Sequence, residues 1–183
     1  MQRILAVSDT HMNNWLPSEK LRKLMDKADI VTHCGDFSTY EVYREISENY
    51  NLYAVRGNVD DDKVSQILPE REVFEVEEIK FGLVHQGNYL NSFDDLGYLA
   101  REMGVDVLIF GHIHRFVVER VGDVVLVCPG SPTKPRLSVS SVAEIMVDGS
   151  RIDIQMRVVD EIVCGIDVEK VLRASKGDES EAD

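Results

Sequence analysis

Neither cysteine, glycine nor proline is abundant in these 183 residues, which hold three Cys, 12 Gly and five Pro. Cys34, Cys128 and Cys164 are widely separated and form no CxxC pair, so neither a disulfide framework nor a structural zinc knot is indicated. Their use fits a reducing compartment, and a cytoplasmic protein is expected. Few Gly and Pro, with 44% hydrophobic and 29% charged residues, exclude collagen-like and wholly disordered chains and match one globular core. Long apolar runs are missing as well. Ile4 to Val7 is too short for a secretory h-region, and no later run approaches the roughly 18 apolar residues of a membrane helix. The expectation is a soluble chain with no membrane partner. Basic residues number 20 against 33 acidic ones, a formal charge of −13, which makes a polynucleotide an unfavourable partner. Bound cations in a cleft can reverse that sign locally.

What is present is an alternation of short apolar runs and polar loops. Ile4 to Val7 reads as a buried strand ending at Ser8-Asp9-Thr10-His11. Leu21, Leu24 and Met25 have helical spacing within 19–28, with Ser18 as N-cap. Ile30 to His33 is a second strand closing on Cys34-Gly35-Asp36, 41–47 a second helix, and Leu52 to Val55 a third strand closing on Gly57-Asn58. This βαβαβ order implies parallel strands whose carboxyl ends form the ligand crevice. Strands at 73–76 and 81–84 follow, the second running into His85. A helix over 94–103 then leads to a strand at 107–110 that ends in Gly111-His112-Ile113-His114. From there to Val159 alternating apolar and polar residues predict a β-meander, with Asp148-Gly149 as a hairpin turn. One domain over 1–172 is expected. The tail 173–183, with two basic and four acidic residues and no apolar periodicity, reads as disordered.

Five of these loops bring Asp9 and His11, Asp36, Asn58, His85, and His112 and His114 toward one edge. Residues i and i+2 of extended chain face the same side, so each closely spaced pair can present two donors to one place. Four of the five histidines belong to this set, and seven donors exceed one tetrahedral zinc site. They suit two first-row divalent ions sharing a carboxylate, a device for phosphoester hydrolysis.

Asp9-Thr10-His11, Gly35-Asp36, Gly57-Asn58, His85 and Gly111-His112-Ile113-His114, in this order, resemble the signature of the calcineurin-like metallophosphoesterases. His33-Cys34-Gly35-Asp36, Arg56-Gly57-Asn58 and Pro129-Gly130-Ser131 with Pro135-Arg136 look like the small YfcE-type phosphodiesterase group. The resemblance implies an α/β fold, a four-layer αββα sandwich of two mixed β-sheets flanked by helices. It implies one metal on Asp9, His11, Asp36 and His114 and another on Asp36, Asn58, His85 and His112. Manganese is the first expectation, with Ni, Fe, Zn or Co as alternatives. The implied activity is hydrolysis of a small phosphodiester by a hydroxide held between the ions. Many members of the wider family continue the Asn motif with a histidine that protonates the leaving group; here that position is Val59, and Asp60 is the candidate substitute.

The other motifs weigh differently. His33, in a buried strand and outside the implied ligand set, reads as a core or supporting histidine. Arg56 is balanced between phosphate contact and an ordinary ion pair. Pro129-Gly130-Ser131 reads as a turn, Asp60-Asp61-Asp62 as a solvated acidic run, and the cysteines as small hydrophobes. A second class of function is a protein-interaction scaffold like the retromer subunit of the same fold. Suitable residues at all seven donor positions favour the enzyme. A nuclease would need a DNA-binding surface or capping domain that charge and length do not supply. Open strand edges in the second half make a homodimer the expected assembly.

Overall fold

A computed structural model describes residues 1–85, 93–136, 138–163 and 166–167; Cys164 and the acidic tail lie outside the described residues. Strand β1 (Gln2–Val7) is followed by α1 (Glu19–Met25), β2 (Ile30–Cys34), α2 (Tyr40–Asn49) and β3 (Leu52–Val55). The three strands pair in parallel, with Ile4 opposite Ile30 and Val31 opposite Leu52. Ser18 caps α1 by accepting the Leu21 N–H at 3.2 Å. Next come α3 (Asp62–Ile67), the hairpin β4 (Arg71–Val76) and β5 (Ile79–Val84), α4 (Asp94–Met103) and β6 (Val107–Phe110). The chain continues through β7 (Phe116–Val121), β8 (Val124–Pro129), β9 (Val139–Asp148), β10 (Arg151–Val163) and β11 (Ile166–Asp167).

Two mixed sheets result, ordered β11-β10-β9-β1-β2-β3 and β4-β5-β6-β8-β7. Strands buried on both faces read as unbroken apolar runs, and β1 shows why. Ile4 and Ala6 point between the sheets, against Leu83, Ile109 and Ile145, whereas Leu5 and Val7 pack outward on Leu21, Met25 and Ile46 of α1 and α2. On the far side, Leu108 and Phe110 of β6 cover Leu96 and Ala100 of α4. The layers are therefore helix, sheet, sheet, helix, the metallophosphatase-type αββα sandwich.

Three expectations need correction. The second half is not one meander: β8 lies parallel to β6 in one sheet, and β9 antiparallel to β1 in the other. Alternation identifies each hairpin but cannot tell which sheet it joins. The acidic run is more than a solvated loop, because Asp61 caps α3, accepting from Val64 N–H at 2.9 Å and from Tyr40 N–H at 2.8 Å. Helix α1 ends at Met25 rather than Ala28. Among the described residues, no helix is long and apolar enough to cross a membrane.

Tyr53 of β3 stacks on Phe74 of β4, with centroids 4.3 Å apart, and Phe74 on Phe81 at 5.2 Å, so an aromatic column ties the two sheets together. Phe81 is completely buried. Phe81→Ala is expected to cost about 3–5 kcal/mol in denaturant unfolding, since the cavity lies where neither sheet can collapse without the other.

Candidate metal centre

The β1 loop runs alongside the β2 loop, with Asp9 N–H on Gly35 O at 3.0 Å and His11 N–H on Asp36 O at 2.9 Å. Asp9, His11, Asp36, His112 and His114 all have φ between 43° and 72°, a region that L-residues enter at a cost. Each turn of this kind bends the chain sharply after a strand and brings a side chain back over the sheet edge. Gly57 and Gly111 allow the loops to close. A Cβ at Gly57 would lie 2.1 Å from Asp36 Oδ1, and one at Gly111 would lie 2.2 Å from Ser8 Oγ.

The structure brings all seven expected donors together in two groups. Donor atoms of Asp9, His11, Asp36 and His114 lie within 4.8 Å of one another, and so do those of Asp36, His85 and His112. Asp36 belongs to both. Its Oδ2 is 3.5 Å from His11 Nε2 and its Oδ1 is 3.4 Å from His85 Nε2. Asn58 Oδ1 joins the second group, 2.9 Å from His85 Nε2 and 3.0 Å from His112 Nδ1.

Backbone carbonyls aim two of the rings. His85 Nδ1 is 2.6 Å from Cys34 O, and His114 Nδ1 is 2.5 Å from Lys134 O. A carbonyl can only accept, so each Nδ1 carries the proton, and Nε2 is the ring nitrogen left facing inward. His114 Nε2 then faces Asp9 Oδ1 at 3.2 Å and His11 Nε2 at 3.1 Å. Acceptors crowded at contact distance repel one another unless a proton or a metal cation lies among them. The donor set therefore fits divalent cations.

Asp9 is wholly buried and receives the His112 N–H at 3.0 Å. Burial pushes its carboxyl upward, but the adjoining His114 imidazole and the Ser8 hydroxyl together outweigh that and hold it below the usual carboxylate range. For His11 and His112 burial is the largest influence and lowers both, which favours the neutral ring with a lone pair to donate.

The remaining expected residues lie around these two groups. Both oxygens of Asp60 are engaged by backbone: Oδ2 accepts from Gly57 N–H at 2.7 Å and Asp36 N–H at 3.2 Å, Oδ1 from Ser38 N–H at 2.8 Å. Burial raises its carboxyl in spite of these donors. This is the geometry of a clamp joining two loops. Val59 is exposed, and its N–H donates to Asp36 Oδ1 at 3.0 Å. Arg56 pairs with Glu70 beside Asn58. His33 lies outside both groups, buried, stacked on Phe37 at 3.6 Å and bonded to Thr10 Oγ1 at 3.1 Å.

Sequence reasoning missed the supports behind the donors. Ser131 Oγ donates to Asp9 O at 2.7 Å and accepts Lys134 N–H at 2.8 Å, so the Pro129-Gly130-Ser131 turn buttresses the β1 loop. Thr133 Oγ1 donates to Thr10 O at 2.6 Å. The Pro-Gly-Ser signal was visible; its target was not.

Residues 2–150 match the model of the calcineurin-like phosphoesterase superfamily domain. The chain belongs to that superfamily, and its class is that of the dimetal phosphoesterases. It is 34% identical over 149 residues to a probable metallophosphoesterase of Methanocaldococcus jannaschii, covering 78% of this chain and 74% of that one. A protein named a phosphodiesterase in the same organism is 30% identical over 146 residues, covering 70% and 82%. Among solved structures, wild-type Vps29 of Entamoeba histolytica complexed with Zn²⁺ superposes with a TM-score of 0.69 at 20% identity, covering 86% of this chain and 99% of that one. At that identity the likeness is one of fold.

Two outcomes follow from this geometry. Gly57→Ala is expected to leave the circular dichroism spectrum unchanged but to weaken divalent-metal binding by roughly 10–100-fold in equilibrium dialysis, because the new methyl displaces the Asp36 carboxylate. Burial lowers His33 to about 3, so the unfolded chain takes up a proton there before the folded one does. Between about pH 6.5 and 3 this contributes a loss of stability on acidification of up to ~1.4 kcal/mol per pH unit. The slope is expected to be shallower in His33→Gln, compared by urea unfolding across that range.

Proposed function

We propose that the protein is a metal-dependent phosphodiesterase acting on a small phosphodiester. The observation that carries this reading is the division of the Asp36 oxygens between two donor groups, which a single-ion site would not require. Asp9, His11, Asp36 and His114 hold one divalent cation in this reading, and Asp36, Asn58, His85 and His112 the other. Manganese is the proposed metal, since a mixed carboxylate, amide and imidazole set suits it, with Ni, Fe, Zn or Co as alternatives. Bound there, the two cations supply a water of lowered pKa and positive charge against the phosphoryl oxygens.

The chain's own residues position these groups. The Cys34 and Lys134 carbonyls fix the inward nitrogens of His85 and His114, and Asp60 holds the backbone on either side of Asp36. No side chain in the two donor groups is a covalent nucleophile. Burial pushes the Cys34 and Cys128 thiols up, away from the reactive thiolate, and the Ser8 hydroxyl is 2.6 Å from Asp9 Oδ2. The attacking oxygen is then supplied by solvent. With Val59 beside the centre and the Asp60 oxygens held by backbone, leaving groups that depart without a proton, such as phenolates, are favoured. The M. jannaschii relative named a phosphodiesterase supports diesters as the substrate class. Buried free thiols at Cys34 and Cys128 support a cytoplasmic location. A second copy of the chain is the proposed partner of the open edge at β7, where Val118 is exposed.

The shared fold with Vps29 favours one other reading, an interaction scaffold with little or no turnover. A Vps29 solved with Zn²⁺ means that metal binding alone does not separate the two. Turnover does. Metal-stripped protein resupplied with Mn²⁺, Ni²⁺, Zn²⁺ or Mg²⁺ is expected to hydrolyse bis(p-nitrophenyl) phosphate in preference to p-nitrophenyl phosphate, and Asp36→Asn is expected to lose at least ~10²-fold of that rate. Binding of two ions without turnover by any metal favours the scaffold.

A further inference from the structure

Beside the second donor group, the surface opens into a cavity of about 380 Å³, at the small end of ordinary ligand sites. Asn58 and His85 stand at one side, Val84 and Leu99 form an apolar wall, and Arg56 and Arg71 supply two guanidinium groups. We propose that this cavity receives one arm of the substrate and that Arg56 and Arg71 bind an anionic group, a carboxylate or a second phosphate, carried by that arm. The inference rests on the phosphodiesterase reading and specifies the substrate class within it.

The placement of both arginines is fixed by the fold. Arg56 follows β3, with Asn58 two residues later, and its backbone N–H bonds to Pro69 O at 3.0 Å, which ties the start of the Asn58 loop to the approach of β4. Arg71 pairs across the sheet with Val84, the residue before His85. Each guanidinium is thus carried within two residues of a donor or its strand partner. An aryl or sugar-sized arm is of a size to lie against the Val84 and Leu99 wall.

The charges also suit an exchangeable anion. Arg56 is paired with Glu70, and Arg71 with Glu102 at 2.9 Å. The Glu70 and Glu102 side chains are 73% and 69% exposed, so an entering anion can take their place while they turn to water. Exposed ion pairs contribute little to stability, so the exchange is cheap. A guanidinium fork matches carboxylate and phosphate oxygens alike. In a chain of formal charge −13, a second anionic group on the substrate would otherwise meet net repulsion.

The test uses the full chain loaded with Mn²⁺ and non-hydrolysable probes, by isothermal titration calorimetry. Phenylphosphonate, 4-methylphenylphosphonate, 4-carboxyphenylphosphonate and 1,4-phenylenebisphosphonate share one ring and differ in the group opposite the phosphonate. The two anionic probes are expected to bind about fivefold or more tightly than the methyl probe, and their order distinguishes carboxylate from phosphate. Arg71→Gln and Arg56→Gln should each shrink that ratio, and Glu70→Gln, which removes the carboxylate competing for Arg56, should enlarge it. Equal affinity for methyl and anionic probes, or an anion preference that survives the double arginine variant, overturns the cavity's role while leaving the metal centre intact. Failure of all four probes to bind overturns this inference, whereas the phosphodiesterase reading falls only if bis(p-nitrophenyl) phosphate is not turned over.

Discussion

The Asp36 carboxylate can look toward two sets of donors only because the loops around it approach more closely than a side chain at Gly57 would permit. That approach is a matter of backbone. The β1 and β2 loops hydrogen-bond to each other, Asp60 accepts from backbone N–H groups of the Asp36 and Gly57 segments, and Ser131 supports the Asp9 carbonyl from behind. The parallel strands deliver the loops to one edge, and the apolar layers keep the strands in register. The arrangement of donors therefore follows from packing several residues away from any of them.

Placing Asp9 and Asp36 together inside a protein would be costly if nothing offset their charge, since both are almost completely buried. The chain offsets only part of it, through N–H groups of His112 and Val59 and through the Ser8 hydroxyl. Around them stand His11 and His112, whose charging is disfavoured by burial. The balance is negative, and it concentrates at one point the acidity that the composition distributes over the whole molecule. A cation bound there would neutralise the charge that the protein leaves uncompensated.

Much of this was legible before any coordinates. Unbroken apolar runs such as Ile4 to Val7 announce strands buried on both faces, and polar residues at their ends announce the crevice. The donors were readable because histidine and aspartate at strand ends have few other uses in such numbers. What escaped was written in the backbone rather than in residue type. Nothing in the sequence says that the Cys34 and Lys134 carbonyls orient rings, since a carbonyl belongs to every residue. The short helix after Asp61 was hidden because three successive aspartates look solvated whether or not one of them caps a helix. Alternation in 116–158 identified hairpins but not their sheets, a choice made by long-range packing. Nothing in the sequence marked Arg71, which the β4 and β5 pairing places opposite Val84.

Five of the seven non-glycine residues with positive φ, among the described residues, lie at the centre, and all five are Asp or His. Asparagine tolerates the same conformation, and the loop-to-loop hydrogen bonds use main-chain atoms that every residue but proline supplies. Descendants of such a chain can exchange donors one at a time, lose their metals and keep the shape of the loops. The architecture is thus separable from the chemistry it supports, which gives evolution a ready route from a hydrolase to a protein whose surface alone is used.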